Sequence, residues 1–220
     1  MQPYDKHFTT DKMLKYIFEG ILILLGIGLV IFVGYIVMIM SAFGVFDKDY
    51  SVTELKENFE AKKTEIYELK KYFNDIVPKN RFVEIEFDND NTLTRFGIKA
   101  LDSTAGDPNG PMFLEWDLKT NTQRMDSIIK PLGWTRETLK ILKDKLDNAN
   151  CIQIESGEPT KIGFQRSGMG MYSFIVFDKP IPDKEKAKYN DSCTYILAND
   201  TLVLEYGGGA IGSQCFYNKK

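Results

Sequence analysis

Histidine is all but missing: His7 is the sole one in 220 residues, and it lies ahead of everything that reads as a folded domain. Its lack excludes Ser-His-Asp and Cys-His catalysis from that domain, because both need an imidazole to move the proton. A lone histidine with no second one nearby builds no metal site, so His7 reads as a solvated residue in a frayed terminus. Cysteine is scarce too, and Cys151, Cys193 and Cys215 are too dispersed for zinc. There is no basic excess: 28 Lys and Arg stand against 31 Asp and Glu, a net charge of −3. That balance gives no electrostatic footprint for nucleic acid. Repeats and long low-complexity tracts are absent as well. The sequence nominates no catalytic residue, no cofactor site and no metal ligand. One catalytic chemistry stays open, a carboxylate pair, because the spatial pairing of Asp and Glu cannot be read from spacing.

What is there begins with residues 20–46. Between Glu19 and Asp47 run 27 residues without a charge, dominated by Leu, Ile and Val. As a helix, at ~1.5 Å per residue, this stretch is about 40 Å long. A bilayer's hydrocarbon core is roughly 30 Å thick, so the segment spans it once with some tilt. Its backbone groups satisfy one another inside the helix, which is what lipid requires. A cleaved signal peptide competes, since Ala42 and Gly44 have the right spacing. The apolar run far exceeds the roughly 7–15 residues of a signal core, which favours a retained signal-anchor. Lys6, Lys12 and Lys15 precede the span, whereas the first fifteen or so residues after it carry only Lys48 and Lys56. This bias places the N-terminus inside and the domain outside. Gly26, Gly28, Gly34 and Gly44 form no Gly-xxx-Gly pair, so the usual close-packing dimer face is absent. Phe43 and Phe46 suit an interfacial anchor.

The 174 residues that follow suffice for one domain with a real core. Residues 47–50 are a polar break. Ser51 and Glu54 fit a capping box, and Val52, Leu55, Phe59, Ile66, Leu69, Phe73 and Ile76 mark one face of a helix to Pro78. Their spacing is also heptad-like, with Lys62 in the seam. Two readings follow: an amphipathic helix lying on the domain's own sheet, or a juxtamembrane coiled coil holding a homodimer. From Arg81 the period becomes two. Val83, Ile85 and Phe87 alternate with Glu84 and Glu86, the pattern of a half-buried strand. Asp88 and Asp90 sit in a hairpin turn; Leu93 and Lys99 stand where a calcium loop needs Gly and Glu. A second strand near 93–101, a loop over 102–111 and a third strand over 112–118 follow, with Phe113 and Trp116 available for the core. Thr135 caps a helix whose apolar face is Leu139, Leu142 and Leu146. Strands are predicted over 151–155, 161–166, 172–177, 193–198, 201–206 and 213–217. The glycine run at 207–212 has a strand before it but no room for a helix after it, so it reads as a sharp bend and not a phosphate loop.

Cys193 and Cys215 are the candidate disulfide, and Cys151 a buried small hydrophobe. A geometric objection applies. In a regular meander the pair would lie two strands apart, about 10 Å from strand spacing alone, while a disulfide needs Cα atoms within roughly 7 Å. The bond requires the glycine run to turn the last segment off the sheet.

The fold class that emerges is α+β: a single N-terminal transmembrane helix, then one domain with a mostly antiparallel sheet packed by two helices. The expected divisions are a tail over 1–18, the membrane helix over 19–46, a juxtamembrane amphipathic helix over 47–80 and the α+β domain over 81–220. Membrane helix, further helix, antiparallel sheet and C-terminal disulfide together resemble the type IV pilin-like class. The chain departs from it in lacking a Gly-Phe-Thr-Leu-Ile-Glu type start to the span and in breaking the helix at 47–50. The expected role is a single-pass membrane-anchored protein with an extracytoplasmic binding or assembly domain and no enzymatic activity. Its expected partners are the bilayer and a protein partner or a second copy. A membrane-tethered carboxylate hydrolase and a homodimeric scaffold or signalling subunit are the alternatives.

Overall fold

The structure, a computed structural model, describes residues 7–42, 46–101, 112–208 and 212–216. The chain divides into two compact units, Met1–Asp47 and Lys48–Lys220. The expected loop over 102–111, Phe43, Gly44 and Tyr217 lie outside the described residues.

The first unit holds one helix, α1 (His7–Ala42), so the helix begins well inside the stretch read as a tail. Over Met13–Ser41 it is long and apolar enough to cross a membrane. Val30 and Leu24 are as open as Phe18 and Met38, so no stripe is set apart for a protein core. A helix that is apolar all round needs an apolar surrounding on every side.

The second unit opens with α2 (Val52–Ala61) and α3 (Lys63–Ile76). Ser51 caps α2: its Oγ accepts from Glu54 N at 3.2 Å, and its own N–H donates to Glu54 Oε2 at 2.8 Å. The single helix expected over 52–76 is thus two. The break falls at Lys62 (φ −118°, ψ 18°), the seam position where the apolar pattern lapses. Val52, Leu55, Phe59, Ile66, Leu69 and Phe73 are all buried in the domain's own core. The face a coiled coil would need is therefore spent inside the domain. Each such side chain contributes about 1.5–3 kcal/mol by leaving water.

Eight strands form one antiparallel sheet: β1 (Arg81–Asn89), β2 (Thr92–Ala100), β3 (Met112–Lys119), β4 (Gln153–Glu155), β5 (Thr160–Ser167), β6 (Gly170–Val176), β7 (Tyr195–Asn199) and β8 (Leu202–Gly207). Their spatial order is β3-β2-β1-β4-β5-β6-β8-β7. Between β3 and β4 the chain passes through α4 (Gln123–Ile129), a 3₁₀ turn (Lys130–Leu132) and α5 (Arg136–Asn148). This crossing sets β4 beside β1, with Ile85 opposite Ile154. Both helices begin on a threonine: Thr122 caps α4, and Thr135 caps α5 through Thr138. The core cluster draws Met125 and Ile129 from α4 and Leu139, Leu142 and Leu146 from α5, so four helices, not the expected pair, send side chains into it. A smaller cluster of Ile175, Phe177, Ile181 and Val203 lies apart, packed by Tyr189, Tyr195 and Leu197. The short α6 (Asp183–Lys186) and a 3₁₀ turn (Ala187–Tyr189) precede β7.

Two further sequence expectations are corrected. Phe113 and Trp116 were expected in the core, yet they are 44% and 52% exposed. The reason is strand order: β3 is an edge strand with a neighbour on one side only. A final strand over 213–217 was also expected. Residues 213–216 instead make a single bridge, Ser213 to Gly207. Gly207 sits at φ 145°, a conformation that only glycine adopts freely, and it turns the chain away from β8.

Candidate functional site

Three groups of side chains stand out in the domain: the cysteine pair, a row of charges across one sheet face, and a cavity beside the edge strand. Cys193 and Cys215 are joined in a disulfide. The geometric objection from strand spacing falls away because neither residue lies in a strand. Cys193 precedes β7, and the glycine bend carries Cys215 back over the sheet. Phe216 N donates to Cys193 O at 3.1 Å, and Gln214 N to Tyr206 O at 3.1 Å. Cys151 is buried, and burial pushes its thiol far above the ordinary range, so it is an inert packing residue.

The strands' second set of residues forms the charged row. Glu84 on β1 faces Glu155 on β4, which faces Lys161 on β5; Ser173 on β6 faces Glu205 on β8, which faces Tyr195 on β7. Beside this row Glu86 faces Arg95 on β2 and Gln153 on β4. Most of these groups are tied. Arg166 grips Glu86 through both nitrogens, Nε to Oε1 at 2.5 Å and Nη2 to Oε2 at 2.6 Å. Arg95 Nε lies 3.0 Å from Glu84 Oε1 and stacks over the Trp116 ring, 5.6 Å from its centroid. Lys161 Nζ pairs with Glu205 Oε2 at 2.8 Å. Gln153 Nε2 donates to Glu155 Oε1 at 3.1 Å.

Four carboxylates thus meet three cations in a partly shielded layer: Glu86 is 1% exposed and Glu205 8%, while the Lys161 and Arg166 side chains stay half-buried. Burial raises the pKa of Glu84 and of Glu155, and each is raised further by a neighbouring acid. For Lys161, burial opposes the charge, but Glu155 and Glu205 outweigh it and hold the ammonium above the usual lysine value. The row covers itself. A Cβ on Gly97 would run into the Met112 side chain and Glu84 Cγ, so the glycine's small size lets those chains lie flat across β2. Among the described residues the buried Ser173 hydroxyl has no hydrogen-bond partner, and neither has Arg95 Nε, whose tie to Glu84 is an ion pair only. Chemically the row favours the protonated form at Glu84 and at Glu155 more than water would. None of the four best-defined cavities of the described residues is lined by its four glutamates.

The largest described cavity, about 520 Å³, opens at the other face, between the ends of β1, β2 and β3 and the helix α4. Ile98, Phe113, Ile128 and Leu132 make it apolar, with Arg81, Arg124 and Ser127 as its polar groups. A second cavity lies beside Lys70, whose buried ammonium pairs with Glu158 Oε2 and Asp178 Oδ1, both at 2.8 Å, and donates to Val176 O at 2.8 Å. That cluster clamps α3 to the sheet. Among the described residues no group of three His, Cys, Asp or Glu is placed to hold a metal ion.

Sequence reasoning singled out the two cysteines and missed both the charged row and the apolar cavity. The row had a signal: residues of both signs at alternate positions of successive strands. The cavity had none, since its walls come from five elements. No protein-family model, no curated protein and no solved structure matches this chain.

Proposed function

We infer that this is a single-pass membrane-anchored protein whose extracytoplasmic domain is a binding or assembly module and not an enzyme. The observation that carries the reading is α1, long and apolar enough over Met13–Ser41 to cross a membrane and without a charge from Gly20 to Ser41. Placing the domain outside draws on the lysines that precede the span and on the Cys193–Cys215 disulfide, a bond that persists in oxidising compartments. A carboxylate-hydrolase reading has one observation in its favour, the opposed Glu84 and Glu155. Against it, Arg95 already pairs with Glu84 and Gln153 with Glu155, and neither acid lines any of the four best-defined cavities of the described residues.

Fractionation and thiol labelling test the inference together. The full chain is expected to stay in membranes washed with alkaline carbonate. An impermeant maleimide added to intact cells is expected to label Cys193 and Cys215 only after a reductant. Release of the full-length chain by carbonate overturns the anchor. Labelling that needs permeabilised cells overturns the outward orientation and leaves the anchor standing.

A further inference from the structure

The cavity between β3 and α4 is more than a packing fault. Its walls are apolar, its volume of about 520 Å³ falls in the range of small-molecule sites, roughly 300–1,000 Å³, and among the described residues no carboxylate lines it. Both of its charged residues are arginines. Arg124 is engaged, with Nη2 and Nε on the Glu115 carboxylate. Arg81 is different. Its backbone N–H donates to Pro78 O, but its guanidinium has no hydrogen bond or ion pair among the described residues. Phe113, two strands away on the same cavity, is 44% exposed, an unusual state for a phenylalanine that faces the helix side of its sheet. An uncompensated cation at the mouth of an apolar cavity is complementary to one kind of molecule.

We propose that this cavity binds a small amphipathic monoanion. An aryl or alkyl body lies on Ile98, Phe113, Ile128 and Leu132, and a single carboxylate accepts from the Arg81 guanidinium. Arg124, held by Glu115, borders the head group without being its main partner. Ser127, exposed on α4, marks the open side. The proposal deepens the binding reading above and rests on it for its biological meaning. Its test is separate, because membrane fractionation and ligand titration fail independently.

The experiment titrates the full chain in zwitterionic-lipid nanodiscs with 4-phenylbutanoate, 4-phenylbutanol and acetate by calorimetry, with empty nanodiscs as the blank. The acid is expected to bind saturably at one site per chain, about tenfold tighter than the alcohol, the margin of one charge-assisted hydrogen bond. Acetate, which lacks the apolar body, is expected to give no saturable heat. Arg81→Gln is expected to bring the acid down to the alcohol's affinity and leave the alcohol unchanged. Ser127→Trp, which fills the open side from the surface, is expected to abolish both while the melting temperature holds. Equal affinity for acid and alcohol, an Arg81→Gln variant that keeps the tenfold margin, undiminished binding in a folded Ser127→Trp variant, or no saturable heat with any probe would each overturn the proposal.

Discussion

One side of the sheet carries Val83, Ile85, Phe96, Ile154, Ile162, Phe174 and Leu204 against the helices. The other side carries, on the same strands and one residue out of step, Glu84, Glu86, Arg95, Glu155, Lys161, Ser173 and Glu205. Both sets are largely shielded from water, but by different means. The apolar side is covered by α2–α5, so its stability comes from area removed from water and is indifferent to partner identity. The charged side is covered by its own long side chains and by Met112, so each buried charge depends on a named partner. A buried ion pair returns little net stability against a hydrophobic replacement, yet breaking one is costly. The comparison therefore separates a face that holds the domain together from a face that fixes how its strands are aligned.

The sharpest way to probe the first side is Phe73→Ala. Phe73 is fully buried on α3 and meets Trp134 edge-on, with ring centroids 5.9 Å apart. Its truncation leaves a cavity between helix and sheet and is expected to destabilise the domain by about 3–5 kcal/mol. Urea unfolding of the full chain in detergent, followed by tryptophan fluorescence, measures it. On the second side, Glu86→Ala strands the half-buried Arg166 guanidinium and is expected to cost about 2–3 kcal/mol by the same measurement. Replacing both partners, Glu86→Leu with Arg166→Met, is expected to recover most of that loss. If the double variant is as unstable as the single one, the charged side contributes net stability and the contrast between the faces is wrong.

How much of this was legible in the sequence follows from how far apart the interacting residues are. Ser51 and Glu54 are three residues apart and could be read as a cap; the alternation of Val83, Ile85 and Phe87 with Glu84 and Glu86 fixed a strand and its two faces. That the glutamates are buried could not be read. Their partners Arg95 and Arg166 reach them only through pairing and strand order, with Arg166 eighty residues away from Glu86. Strand order likewise decides that Phe113 and Trp116 lie on an edge. It depends on α4 and α5 carrying β4 back beside β1, which no local pattern announces. The cysteine pair was visible as a candidate, while the glycine bend that brings it together is a matter of φ at Gly207, Gly208 and Gly212. The cavity was invisible for the same reason as the charged row: Arg81, Ile98, Phe113 and Ile128 belong to four different elements.

The smallest expected effect is the most specific to the charged side. Glu155 directly faces Glu84, and like charges so placed in neighbouring strands repel. Burial first, and Glu84 in addition, raise the Glu155 pKa above its ordinary value of 4.5. The folded state therefore binds this proton more tightly than the unfolded chain does. The associated stability is complete below pH 4.5 and is lost as pH rises through the higher folded value. Glu54 works the other way: the Ser51 backbone N–H and Lys48 lower its pKa to about 2, so its contribution is complete above 4.5 and is lost as pH falls toward 2. The two windows do not overlap, which makes them separable. Glu155→Gln keeps an oxygen for the Gln153 amide and leaves Lys161 its bond to Glu205. It is expected to raise stability at pH 7 by about 0.5 kcal/mol, the scale of one cross-strand pair. It is also expected to flatten the decline in melting temperature as pH rises above 4.5 without altering the decline as pH falls from 4.5 toward 2. Melting curves across that range decide the matter. A variant less stable than the parent at pH 7 would mean that Glu155 is held as a carboxylate by Lys161, and that the charged side is balanced by attraction rather than by protonation of Glu155.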